Sequence, residues 1–220
     1  MRAEAARTEL VAHARQLVTE GLVVGTAGNL SVAVDDVIAM TPSGLPYTDC
    51  TAGDIVLLDA AGTVVEGELL PTSEWQLHLA VHERWAPGAI VHTHSPFATA
   101  ASTLVDELPA IHYYVELLGG PVRVAPYATF GTRELADHVV EGLSDRSAVL
   151  MANHGALTVG ATLPEAHDRA RTLEWLCQVF VQARSAGTPR QLDADQLGEV
   201  RARLERLRTD RDAAPGWRTR

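Results

Sequence analysis

Hydrophobic positions along the chain recur with two periods. Leu10, Ala14, Leu17 and Val18 fall at helical spacing and predict a helix over Ala3–Glu20 that Gly21 ends. Short runs of apolar and β-branched residues predict strands at Val32–Val34 and Val37–Met40, joined at Asp35-Asp36, and at Ile55–Leu58, with a hairpin-like return starting at Gly62. A helix capped by Thr72 or Ser73 is expected to reach about Trp85 and to stop at Pro87-Gly88. Ala89–His92 reads as a strand carrying His94 at or beyond its end, residues 96–103 as a short helix, Val122–Val124 as a strand and Thr132–Leu143 as a helix. Ala148–Met151 and Leu157–Val159 read as paired strands around Asn153-His154-Gly155, followed by helices over Glu165–Ala183 and Asp193–Leu207. Strands and helices alternate without repeat or linker, so the expected fold is one α/β domain over residues 1–208, a central sheet covered by helices. Residues 209–220 are polar and Arg-rich and are expected to form a mobile tail.

Composition narrows the function classes. With 220 residues, 46% of them hydrophobic, the chain can bury one full core. A formal net charge of -10 leaves no footprint for nucleic acid or an anionic membrane. No apolar run reaches membrane-spanning length, and charges interrupt Met1–Glu20 too often for a signal peptide. Cys50 and Cys177 share no metal or redox spacing, so a cytoplasmic protein with free thiols is expected. All 18 Lys plus Arg residues are Arg. A chain without lysine has no Schiff-base amine and no P-loop lysine. If it breaks carbon–carbon bonds, a metal ion is the obvious candidate to hold the electrons.

The candidate chemistry lies between the predicted elements. On an extended segment His92 and His94 face the same way and can reach one ion, and His154, in a turn beside Gly155, is the best third ligand. Alone, a His-x-His pattern is as readily a polar strand end. Glu74 opens a helix, either as an acid that stabilises the helix dipole or as a metal-proximal base. His78 and His82 follow on one helical face; His78 is expected to pack or hydrogen-bond as support, and His82 to be solvated. Thr26-Ala27-Gly28-Asn29, Thr41-Pro42-Ser43-Gly44 and Thr72-Ser73 sit at loops and helix starts. Together they could hold a phosphate dianion; singly, each is explained by turn chemistry. Ile111-His112-Tyr113-Tyr114 offers a tyrosine proton donor, although an aromatic core or interface contact explains it equally from composition.

Taken in order, Gly25-Thr26-Ala27-Gly28-Asn29-Leu30-Ser31, Thr41-Pro42-Ser43-Gly44, Thr72-Ser73-Glu74, His92-Thr93-His94 and Asn153-His154-Gly155 resemble the class II aldolase/adducin-type family. Pro109-Ala110-Ile111-His112-Tyr113 and the segment from Ala125 to Leu135 resemble its sugar-1-phosphate aldolase branch, and the likeness spans about Gly21 to about Phe180. The resemblance implies a mainly antiparallel sheet with α-helices on both sides and one Zn2+ per subunit on His92, His94 and His154, with Glu74 as acid/base and possible fourth ligand. It implies a phosphate site of Thr26, Asn29, Ser43, Gly44, Thr72 and Ser73, a substrate pocket lined by Phe130, and a homotetramer whose sites lie at subunit interfaces, with Tyr113 reaching in from a neighbour as proton donor. The implied reaction is retro-aldol cleavage of a ketose 1-phosphate of the L-fuculose 1-phosphate type, through a metal-stabilised enediolate, to dihydroxyacetone phosphate and a short aldehyde such as L-lactaldehyde.

Alternatives on the same scaffold are a pentulose-5-phosphate 4-epimerase, an aldolase for 5-deoxyribulose or rhamnulose 1-phosphate, and a dehydratase of methylthioribulose phosphate. A non-catalytic scaffold predicts loss of the ligands or the carboxylate, and a zinc hydrolase leaves the three hydroxyl-bearing loops unexplained. One departure from the family pattern is the C-terminus: all four tyrosines fall between Tyr47 and Tyr127, and the tail offers only Trp217.

Overall fold

The computed structural model describes residues 2–213. The α-helices are α1 (Glu4–Thr19), α2 (Trp75–Trp85), α3 (Pro96–Ser102), α4 (Arg133–Gly142), α5 (Leu163–Ala186) and α6 (Ala194–Ala213). The strands are β1 (Asn29–Val34), β2 (Val37–Met40), β3 (Val56–Leu58), β4 (Val64–Glu66), β5 (Ala89–Thr93), β6 (Glu107–Leu108), β7 (Val122–Ala125), β8 (Ala148–Met151) and β9 (Gly155–Gly160). Short 3-10 turns cover Ala52–Asp54 and Tyr113–Leu118. The α6 helix continues to Ala213, beyond the expected end at Leu207, and residues 214–220 of the expected tail lie outside the described residues.

The strands form one nine-stranded sheet in the order β4-β3-β2-β1-β5-β9-β8-β7-β6. Every neighbouring pair is antiparallel except β7 with β8. Alternation along the strands divides the core between the two faces. Leu30 and Val91 point to the face covered by α1 and α5, where they join Leu10, Leu17, Leu163 and Ala170. Leu150 joins Ala98, Leu173 and Leu176 of α3 and α5. Ile90, Val149, Met151 and Leu157 point the other way, against Leu77 and Val81 of α2 and Leu135 and Val139 of α4. Helices therefore cover both faces, and the central strands are buried almost throughout, as a doubly covered sheet requires.

Register brings the chemistry together. Asn29 pairs with His92 across β1 and β5, so the two side chains share the face that α2 covers. On the other flank, Thr93 of β5 pairs with Ala156 at the start of β9, immediately after His154. Two tight approaches fix this junction. A Cβ on Gly28, whose φ is 85°, would stand 2.8 Å from the His92 carbonyl oxygen, and one on Gly155 would stand 2.2 Å from the Thr93 carbonyl oxygen. Asn153 adopts φ 55° in the β8–β9 turn, which aims His154 toward the end of β5.

The Gly155 approach is between backbone atoms, so no side chain can yield to relieve it. A Gly155→Ala substitution is expected to cost about 2–4 kcal/mol and to lower Tm by roughly 5–15 °C in differential scanning calorimetry. An unchanged Tm would show that the β5–β9 junction is looser than described.

Candidate metal centre and substrate cleft

Glu74 precedes the first helical residue of α2, so the helix starts later than the Thr72 or Ser73 cap predicted. Thr72 supports the turn before the helix instead: its Oγ1 accepts from the Glu74 amide at 3.3 Å, and its carbonyl accepts from the Trp75 amide at 3.1 Å. Glu74 has φ -104° and ψ 20°, in the sparsely occupied bridge region where many active-site residues sit, and its side chain makes no cap hydrogen bond. The carboxylate turns instead toward the histidines. Glu74 Oε2 lies 3.0 Å from His92 Nε2 and accepts from Asn29 Nδ2 at 3.0 Å; Oε1 lies 3.5 Å from His154 Nε2.

The three imidazoles converge. Their ring centroids are 4.8 Å apart for His92 and His94, 5.0 Å for His92 and His154, and 4.8 Å for His94 and His154. His92 Nδ1 donates to the Ala156 carbonyl at 2.8 Å; because a carbonyl only accepts, that nitrogen carries a hydrogen and Nε2 faces the cluster. The same Nε2 lies 3.0 Å from His94 Nε2. Ligand atoms of Glu74, His92, His94 and His154 all lie within 4.8 Å of one another.

This donor set fits a divalent ion. Three imidazoles and a carboxylate are a first-row-metal set. Burial pushes the His94 pKa down to about 3 and that of His154 down to about 4, so both present the neutral form that a metal needs. Burial lowers His92 too, but the adjacent Glu74 charge and hydrogen bond raise it overall. Burial opposes ionisation of Glu74, yet the charge and hydrogen bond of His92, with His154 and Asn29, hold the carboxyl well below its usual range. Glu74 Oε1 is buried without a hydrogen-bond partner, the kind of orphaned acceptor that a bound cation satisfies.

The cluster opens into a cleft of about 470 Å³, within the range of small-molecule sites. Its lining includes Thr26, Ser43, Gly44, Thr72 and Ser73 from three loops, Asn29 at the start of β1, and Glu74, His94 and His154. The Ser43 amide already donates to the Leu70 carbonyl at 2.9 Å, so Ser43 presents its hydroxyl. Asn29 gives one amide hydrogen to Glu74. No arginine lines the cleft among the described residues. Phe130 stands at the rim, mostly exposed, beside Tyr127 and Ala128. Tyr127 and Asn153 also line the cleft; both lie in segments that carry the family resemblance, which assigns neither a role.

Tyr113 is not in the cleft of its own chain. It lies on the 3-10 turn Tyr113–Leu118, stacked on His112 with centroids 4.4 Å apart, in an exposed aromatic cluster with Tyr114 and Trp175. Cys50 and Cys177 are buried and unpaired. His82, expected to be solvated, is buried: it lies 2.9 Å from Ser31 Oγ, which lies 2.7 Å from His78 Nδ1. Helical periodicity alone does not show the strand beneath α2. Ser31, in register beyond Asn29 on the same strand face, draws both histidines inward.

Comparison with known proteins places the cluster in a class. The Class II Aldolase and Adducin N-terminal domain matches residues 8–181. The chain is 40% identical over 202 residues to the 5-deoxy-D-ribulose 1-phosphate aldolase of Bacillus thuringiensis serovar kurstaki, covering 90% of this chain and 95% of that one. It is 40% identical over 191 residues to the L-fuculose phosphate aldolase of Escherichia coli strain K12, covering 86% and 87%. A solved L-fuculose 1-phosphate aldolase superposes with a TM-score of 0.89 at 36% identity, covering 93% of this chain and 98% of that one. The chain belongs to the class II aldolase and adducin family. Within it, the intact cluster of three histidines and a glutamate marks a metal-dependent class II aldolase, an aldehyde-lyase. Among the described residues no helix is long and apolar enough to cross a membrane.

Burial makes the site's support sensitive to acid. It pushes the pKa of His78 down to about 3 and that of His82 down to about 4, from 6.5 in a free chain. Below about pH 6.5 the unfolded chain binds protons that the fold refuses, so these two groups make stability fall as pH drops toward 4. The urea midpoint of the metal-free protein is expected to be lower at about pH 5 than at about pH 7.5. Equal midpoints would mean that the fold accommodates the charged imidazoles.

Proposed function

We propose that the protein is a zinc-dependent aldolase that cleaves a methyl-ended ketose 1-phosphate of the L-fuculose 1-phosphate type to dihydroxyacetone phosphate and a short aldehyde. The observation that carries this reading is the buried, unpartnered Glu74 Oε1 beside three converging imidazoles, at the floor of a cleft lined by hydroxyl-bearing loops. L-fuculose 1-phosphate would yield L-lactaldehyde. A second reading, 5-deoxyribulose 1-phosphate giving acetaldehyde, is favoured by the relative of that specificity at 40% identity. Both substrates end in a methyl group, which suits a rim of Tyr127, Ala128 and Phe130.

Bound by His92, His94 and His154, zinc supplies Lewis-acid stabilisation of the negative charge that develops on the three-carbon fragment. The phosphate is held without a fixed cation: the chain has no lysine and no arginine lines the cleft among the described residues, so the Thr26, Ser43, Thr72 and Ser73 hydroxyls, the remaining Asn29 amide hydrogen and the Gly44 amide are its donors. Glu74 moves the proton at the carbon that becomes the hydroxymethyl group of dihydroxyacetone phosphate. Ionised at rest, it is ready as the base for condensation, and in cleavage it must first take up a proton. Tyr113 handles the proton at the aldehyde oxygen. It would come from a neighbouring subunit of a homotetramer, a reading supported by its place in an exposed aromatic patch away from its own chain's cleft.

The zinc-loaded protein is expected to release dihydroxyacetone phosphate from L-fuculose 1-phosphate or 5-deoxyribulose 1-phosphate in a coupled dehydrogenase assay, with kcat/KM ranking the two. Chelation and His94→Ala should abolish release, and Glu74→Gln should cut kcat by about 10²–10⁴-fold while zinc stays bound. Full turnover by zinc-loaded Glu74→Gln would sink the assigned role. Failure with every ketose 1-phosphate would turn attention to epimerisation of L-ribulose 5-phosphate.

A shared site makes its own prediction. Mixing inactive Glu74→Gln and Tyr113→Phe subunits should regenerate some sites with both native residues, so activity recovers after the subunits are exchanged. Absence of recovery in mixed tetramers would place Tyr113 in the cleft of its own chain or outside the reaction.

A further inference from the structure

From Asn29, which lines the cleft beside Glu74, a buried chain of polar groups runs inward through residues that do not line the cleft. Asn29 Nδ2 donates to Glu74 Oε2 at 3.0 Å, and Asn29 Oδ1 lies 2.5 Å from His78 Nε2. His78 Nδ1 lies 2.7 Å from Ser31 Oγ, Ser31 Oγ lies 2.9 Å from His82 Nε2, and His82 Nδ1 lies 3.2 Å from the Pro87 carbonyl oxygen. Asn29, Ser31, His78 and His82 are all buried, His78 completely.

The chain ends on acceptors, a carboxylate at one side and a carbonyl at the other, and neither supplies a hydrogen. Burial keeps both histidines neutral near neutral pH, so each brings one ring N–H. With one hydrogen each from Asn29, His78, Ser31 and His82, the chain is one short: one of its contacts must join two lone pairs. Two lone pairs repel, so the gap belongs at the longest contact, where water has most access. That contact is His82 to Pro87, at 3.2 Å, with His82 8% exposed and Pro87 only partly buried. The 2.5 Å contact between His78 and Asn29 is the last place to leave without a hydrogen.

We propose that His78 is a positioning residue for Glu74: protonated at Nε2, it donates to Asn29 Oδ1 and thereby fixes the amide with Nδ2 toward the carboxylate. Ser31 then donates to His78 Nδ1 and accepts from His82 Nε2–H, which passes the same polarity outward to α2's last turn. The ionised Glu74 favours the same orientation from one end, and the His78 hydrogen holds the other, so that the amide is gripped at both its nitrogen and its oxygen. Flipped, the amide would set an oxygen against the ionised Glu74. The proposal rests on the reading of Glu74 as acid/base, because only then does its aim affect turnover.

The direct test is the tautomer of His78 in zinc-loaded protein labelled with 15N at histidine, read from long-range nitrogen–proton correlations and assigned by loss of the signal in His78→Gln. The Nε2–H form is expected; the Nδ1–H form or an imidazolium overturns the proposal. In kinetics, His78→Gln keeps an N–H at the same place and should hold kcat within about threefold, whereas His78→Leu, with zinc still bound, should lower kcat about 10–100-fold at little change in KM. Equal kcat for the two variants overturns the proposal, and if His78→Leu does not fold, the tautomer decides. Glu74→Gln run alongside separates the two ideas. Its full turnover would defeat the reading of Glu74 whatever the tautomer, while its inactivity together with an Nδ1–H His78 would defeat only the positioning role.

Discussion

A carboxylate buried among imidazoles is the constraint on which the rest of the structure depends. An ionised Glu74 out of water is costly unless hydrogen bonds and opposite charge compensate it. The fold supplies that compensation from three separate places in the chain: Asn29 on β1, His92 on β5 and His154 in the β8–β9 turn. Each depends on a backbone arrangement of its own. Gly28 and Gly155 permit approaches to the β5 carbonyls that a side chain would block, and the bridge-region backbone at Glu74 aims its side chain across to the imidazoles. Thus the same feature that would destabilise an empty core holds the site's segments in register once their partners are in place.

The α2 helix joins this site to the core. Leu77 and Val81 bury one stripe of it in the cluster formed with β5, β8, β9 and α4. One step round the helix, His78 and His82 reach into β1 and meet Ser31. Packing and polar recognition are therefore carried by one rigid element. The position of Glu74, at its leading end, is set as much by apolar burial two turns away as by its own hydrogen bonds.

Much of the site was legible because it follows local rules. His92 and His94 share a strand face by the two-residue period, and the Asn153-His154-Gly155 turn sits where two apolar strands must reverse. Most helix spans were legible within a few residues, and the main misses were the early start of β1 at Asn29, the two-residue β6, the 3-10 turns, the start of α2 at Trp75 and the extension of α6 to Ala213. The polar chain behind Glu74 was not legible. Ser31 reads as the last residue of a Gly-containing loop before the strand expected at Val32, and His82 as a surface residue followed by Glu83 and Arg84. Only the pairing of β1 with β5, with α2 lying over them, shows that these side chains meet. Tyr113 illustrates a different limit, because under the proposed reading its role rests on a second chain, and within its own chain it lies away from the cleft.

Charge gives the last link. A net charge of -10 and a cleft without lysine or arginine among the described residues give an anionic sugar phosphate no long-range pull toward the site. Selectivity under the proposed reading has to arise at contact distance, from hydroxyls, loop amides and the positive end of α2, together with the ion that the imidazoles would hold. Short-range donors of this kind act only when correctly oriented. That explains why so much of the buried polar machinery, from Thr72 beneath the Glu74 amide to Ser31 between two histidines, serves orientation and carries no fixed charge of its own.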